Sequence, residues 1–118
     1  MIRHVVASIA LGAVLAGCGG APPPNDKMAA AEAAARGARE VGADQVPAAS
    51  LHLRLADEQI AKAKAAIADD DNENARMLLN RAQADAELAL ALARESKARG
   101  EAQAALDQVA KVRGGGAK

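Results

Sequence analysis

Alanine occupies 30 of the 101 positions from Cys18 to Lys118, and the whole sequence contains no Phe, Tyr or Trp. Alanine is the strongest helix former because ordering it costs no side-chain entropy. It also buries little surface, and Ile, Leu, Val and Met together supply only 17 of those positions. A low content of large aliphatics signals disorder when it is joined to a high net charge. Here 14 basic side chains, Arg3 set aside, meet 15 acidic ones. The composition therefore points to an all-α chain with a thin core and modest tertiary stability.

Periodicity divides the chain into three helices. The first is expected from Asp26 to about Val41, with Asp26 as a fair N-cap and Gly42 placed as a terminating glycine. Only Met28 and Val41 are large apolar residues there, so loose docking is expected. Pro47 suits the first turn of a second helix over 47–68. Leu53, Ile60 and Ile67 recur every seven residues with Ala56 and Ala63 between them, a one-sided stripe made to pack on another helix. Glu58 and Lys62 form a favourable i,i+4 pair.

Asp69-Asp70-Asp71-Asn72-Glu73-Asn74 breaks the pattern, since Asp and Asn favour turns and N-caps. Asp69, Asp71 and Glu73 alternate like calcium-loop ligands, but Asn74 stands where the loop needs glycine and Asn80 where it needs the distal glutamate. A turn is the better reading. The third helix is expected from about 72 to 112, with Leu78, Leu79, Ala82, Ala86, Ala89, Ala93 and Ser96 forming a narrow face of small residues. Helices 47–68 and 72–112 thus form an antiparallel alanine-rich hairpin beside the shorter first helix. Leu88, Leu90 and Leu92 spread around the helix, so some face the first helix or a partner. The helical domain spans 26–113, and Gly114 to Lys118 read as a flexible tail.

Several function classes fall away. There is no basic stripe and no aromatic platform for nucleic acid. Beyond Cys18 the chain has one histidine, His52, and two serines, Ser50 and Ser96. Ser50 and His52 stand two apart, which sends them in different directions on a helix. Ser50 reads as a first-turn residue and His52 as a solvated one. No phosphate loop, metal cluster or nucleophile–base pair is evident, so neither an enzyme nor a cofactor is expected.

The first 18 residues carry a different message. Arg3 and His4 form a small cationic start, and Val5 to Leu15 form an uncharged apolar run too short to span a bilayer, which takes about 20 residues. Leu15-Ala16-Gly17-Cys18 follows, with the only cysteine. The arrangement resembles the lipobox of bacterial lipoprotein signal peptides. The resemblance implies that residues 1–17 are removed and that Cys18 carries the lipid anchor. One acyl chain binds reversibly at ~0.8 kcal/mol per buried methylene, and two or more hold firmly. Gly19 rather than Asp after the cysteine implies the outer membrane, facing the periplasm. Residues 18–25 read as a Gly/Pro-rich tether, extended at about 3.1 Å per residue.

The pattern Leu53, Ala56, Ile60, Ala63, Ala66, Asp71, Ala75, Leu78, Leu79, Ala82 and Asp85-Ala86-Glu87-Leu88-Ala89 resembles the domain of unknown function 4398 family, small alanine-rich envelope lipoproteins. The likeness covers roughly 28–105. The family's turn commonly holds a glycine and an aromatic where this chain has Asp70 and Asn72. No activity comes with the resemblance. Two roles are expected as alternatives: a lipid-anchored helical interaction or scaffold module for an envelope protein partner, or a tether joining the outer membrane to peptidoglycan. The second resembles the murein lipoproteins, which attach through a terminal lysine, here Lys118.

Overall fold

The computed structural model describes residues 20–115. Cys18, residues 1–17 and Lys118 lie outside them. Three helices follow in order: α1, Asn25–Glu40; α2, Pro47–Ala68; and α3, Asn72–Gly115. A short 3-10 turn, Ala43–Gln45, joins α1 to α2. Among the described residues, no helix is long and apolar enough to cross a membrane.

α2 and α3 form the antiparallel hairpin that the sequence pattern implies, and α1 lies against both. Cross-helix bonds fix the directions. Lys64 reaches Glu32 at 2.8 Å and Asp57 reaches Arg39 at 2.5 Å, so α1 and α2 run antiparallel. The Asn72 side-chain amide donates to the Ala21 carbonyl at 2.7 Å, which sets the start of α1 beside the start of α3.

Alanine makes the core. Of sixteen buried apolar residues among those described, thirteen are alanine, the others being Leu53, Ile60 and Leu79. Small side chains let helix axes approach closely, so dispersion contacts between backbones replace the large interdigitating side chains of an ordinary core. α1 buries Ala31, Ala35 and Ala38. It docks through small residues, while Met28 and Val41 are only half-buried. The loose docking expected from its lack of large side chains overlooks this close packing. Ile67 and Leu78 are half-buried beside the core.

Both chain reversals depend on one left-handed residue. Gly42 stands at φ 82° after α1, where a Cβ would crowd the backbone. After α2, Asp70 takes that position at φ 58°. The Asp71 amide donates to the Ala66 carbonyl at 2.8 Å and the Asp70 amide to the Ile67 carbonyl at 3.1 Å. This is a Schellman closure with Asp70 where glycine usually sits. Asp71 then caps α3, its Oδ1 accepting from the Asn74 amide at 3.3 Å.

Three local expectations change. Residues 18–25 are not a free tether throughout: Pro24 is buried and Ala21 is held by Asn72. Gly114 and Gly115, expected in the tail, belong to α3, which runs unbroken through Gly100 to Gly115. Glu58 accepts from Arg54 at 3.2 Å rather than from Lys62, the longer forked side chain reaching forward one turn along the helix.

Candidate functional site

The hairpin uses up α2 before α3 is half spent. Ala49 is the first buried residue of α2, and Ala93 the last of α3. From Arg94 to Gly115 every residue is exposed, a helical arm of 22 residues and about 33 Å. Ser96, placed by the sequence on the hairpin face, falls just past the end of α2 and is exposed.

The arm is helical because its residues favour it locally. Ala98, Ala102, Ala104, Ala105 and Ala110 have high helix propensity. Pairs one turn apart add to it: Arg99 to Glu95 at 2.5 Å, Gln103 to Asp107 at 2.9 Å, and Lys97 to Glu101 at 4.0 Å. Each contributes about 0.2–0.5 kcal/mol. Leu106, Val109 and Val112 stand in water here, 65%, 48% and 71% exposed. Together with Met77 and Leu88 they place on α3 five of the six exposed large apolar residues described. Scattered apolar side chains are ordinary on a surface, but a concentration on one helix marks a contact face.

The polar centre of the hairpin is a second arrangement to weigh. His52 Nδ1 lies 2.9 Å from Asp85 Oδ1, and the Gln59 amide donates to Asp85 Oδ2 at 2.7 Å. A carboxylate only accepts, so the imidazole presents its Nδ1–H to it. This overturns the expectation of a solvated His52, which is about one-quarter exposed as a side chain. The pair fixes the ring, but no nucleophile stands beside it. Ser50 donates instead to the Pro47 carbonyl at 3.0 Å, the first-turn role expected of it. The cluster ties α2 to α3. It was findable from the turn position, since residues equidistant from 69–71 lie level across a hairpin.

The acidic turn is likewise occupied with closing α2 and capping α3. Among the described residues no three His, Cys, Asp or Glu side chains gather as a metal set. A groove between α1 and α2 is lined by Glu32, Arg36, Arg39, Asp57 and Lys64. Its ion pairs are internal: Arg39 grips both Asp57 oxygens, and Lys64 holds Glu32. The Lys64 hydrogen bond and charge draw the Glu32 carboxyl below its ordinary range, against a small opposing effect of burial. The two residues to which the sequence assigns chemistry, Cys18 and Lys118, lie outside the described residues.

A family model for a domain of unknown function, DUF4398, matches residues 26–105. The chain belongs to the DUF4398 family. The DUF4398 match takes in nearly all of α1, the whole of α2 and α3 as far as Ala105, so the hairpin and half of the arm are family structure. Leu106 to Gly115 continue the same helix beyond the match. No curated protein and no solved structure matches the chain.

Proposed function

We propose that this DUF4398 protein is a non-enzymatic lipoprotein, anchored to the outer membrane through Cys18, whose α3 arm is a docking surface in the periplasm. The observation that carries the reading is the arm itself: 22 exposed residues held in one helix with Leu106, Val109 and Val112 bare. The Leu15-Ala16-Gly17-Cys18 pattern supports the anchor. Membrane fractionation with palmitate labelling tests it, comparing the full chain with Cys18→Ser. The expected result is label and membrane retention for the parent and loss of both in the variant. Unlabelled parent chain in the soluble fraction refutes the anchor. Truncation after Ala93 removes the arm and leaves the hairpin; crosslinked partners that survive it refute the docking role.

One observation favours a second reading, the peptidoglycan tether. Asn72 pins Ala21 at one end of α3, and Gly115 stands at the other end of this 44-residue helix, which is about 66 Å long. Membrane attachment at Cys18 and wall attachment at Lys118 would then act from opposite ends of a single rod. Muramidase digestion of purified cell walls decides it. A wall-linked form that disappears in Lys118→Ala supports the tether, and complete extraction by detergent refutes it.

A further inference from the structure

α3 carries two heptad seams on opposite sides, and only one is used. The buried seam steps by four and three residues through Ala75, Leu79, Ala82, Ala86, Ala89 and Ala93. Continued into the arm it meets Ser96, Gly100, Gln103 and Asp107, and turns polar. A second seam, displaced by two residues and so by about 200° around the helix, runs the other way in character. From Met77 to Val112 the same steps strike eleven positions. Met77, Leu88, Val109 and Val112 are large and apolar, five are alanine, and Arg81 and Glu95 are charged.

Among the described residues, this outer seam is uncovered along its whole length. Met77, Leu88, Val109 and Val112 are 52%, 43%, 48% and 71% exposed. The half-buried residues of α3 fall on its two flanks, Gln83 and Leu90 on one side, Asp85 and Leu92 on the other. α2 covers the second flank through His52 and Gln59, which leaves the first to α1. None of the described residues crosses the side facing away.

We propose that the occupant of this seam is the α3 of a second copy, lying antiparallel, with Arg94 across from Glu101 of the second copy and Glu101 across from its Arg94. Residues flanking a heptad core choose partner, direction and register. Arg94 has no acid three or four residues away on its own helix and makes no ion pair among the described residues. In this register Leu88 meets Ala105, Val109 meets Ala84 and Ala91 meets Ala102 of the second copy, so large side chains fall on small ones. Val112 lies on the aliphatic stem of Arg81, whose charged end reaches water.

Three other arrangements place like charges together, and a slide of two heptads, which pairs Arg94 with Glu87 of the second copy, leaves Val109 and Val112 uncovered. Sliding one heptad one way sets Arg94 against Arg94 and Glu87 against Glu101. Sliding the other way sets Glu101 against Glu101. A parallel pair in register puts Arg81 against Arg81 and Glu95 against Glu95 inside the seam. Like charges directly opposed are unfavourable, and the proposed register opposes none while also covering Val109 and Val112. The inference rests on the arm being a docking surface and is independent of the lipid at Cys18.

The test uses the full chain in cells, as the double variant Ala91→Cys, Ala102→Cys, under mild oxidation with the parent chain as control. These positions stand eleven residues apart, about 16 Å on one helix, too far for a bridge within a chain. The expected product has doubled mass and links position 91 to position 102. Links of 91 to 91 and 102 to 102, capture of a different protein, or no product above the control overturn the proposal. On that background Arg94→Glu lowers the linked fraction about fivefold, the effect of two exposed ion pairs. Adding Glu101→Arg restores it, and failure to restore overturns the register. Val109→Asp abolishes the link while leaving the hairpin's circular dichroism and melting unchanged, since Val109 lies on the exposed arm, beyond Ala93, the last buried residue of α3. A Cys18→Ser chain that still forms the 91-to-102 link separates this pairing from the anchor.

Discussion

Replacing Asp70 by glycine stabilises the hairpin, and the turn geometry sets how much. Asp70 sits at φ 58°, a left-handed conformation that costs a residue with a Cβ about 1–2 kcal/mol, somewhat less for Asp. Its charge also stands at the negative end of α2, between Asp69 and Asp71, where removal gains about 0.3–1 kcal/mol. Glycine gives back about 0.5–1 kcal/mol through the larger freedom of the unfolded chain. The net is a gain of about 1 kcal/mol, or roughly 4 °C or more in Tm for a domain of this size. Two further variants separate the causes. Asp70→Asn keeps the tolerance of left-handed backbone and loses the charge, for a gain of a few tenths of a kcal/mol. Asp70→Ala loses the charge but meets the full backbone cost, and falls below the parent. Thermal melts followed at 222 nm should rank Gly above Asn, Asn above Asp, and Asp above Ala. High salt screens the charge, so it erases the Asn gain and preserves the Gly gain. If Ala melts as high as Gly, the left-handed closure does not govern this turn and the argument fails.

Four other outcomes follow from the packing. Leu79 is the largest fully buried side chain described, at 0% exposure, and Leu79→Ala should cost about 3 kcal/mol in urea unfolding. Asn72→Ala removes the bond to the Ala21 carbonyl and should expose residues 20–27 to limited proteolysis while α2 and α3 stay protected. Gly100 lies within α3 with nothing within 4 Å of where a Cβ would stand, so Gly100→Ala should slow hydrogen exchange across the arm by several-fold, from about 1 kcal/mol of helix propensity. The Glu32 carboxyl titrates lower when folded than when unfolded because of Lys64. Its stabilising share is present above the unfolded value and is lost as pH falls through the lower folded value. The effect is small because both side chains are partly exposed, and it should vanish from the acid limb of the melting profile in Lys64→Met.

The sequence was most legible where one rule acted alone. Pro47 and the Asp-Asn run bounded α2 and opened α3 at the residues observed, since a helix start needs a fixed φ or a side-chain cap and little else supplies either. The seam of α2 was legible because its large residues recur at sevens. The docking of α1 is not legible from side-chain size, because Ala31, Ala35 and Ala38 dock by letting backbones approach. The Ala21–Asn72 bond spans 51 positions, and no local signal announces a contact of that range.

The outer seam of α3 was hidden for a different reason. Two seams two residues apart on one helix cancel in any measure of one-sidedness, so α3 looks evenly apolar although neither side is random. Leu88, Leu90 and Leu92 show the difficulty at single-residue scale: they alternate in sequence, yet Leu90 and Leu92 flank the core while Leu88 lies 43% exposed on the outer seam. Only after the hairpin has claimed Ala75 through Ala93 do the residues left over resolve into a second stripe. That order of reasoning applies to any alanine-rich helix longer than its partner. The short partner decides which face is core, and the large apolar residues that remain on the opposite face then need an explanation outside the chain. Here that explanation has a built-in check, because Arg94 and Glu101 are spaced seven residues apart and satisfy each other twice only about a two-fold axis.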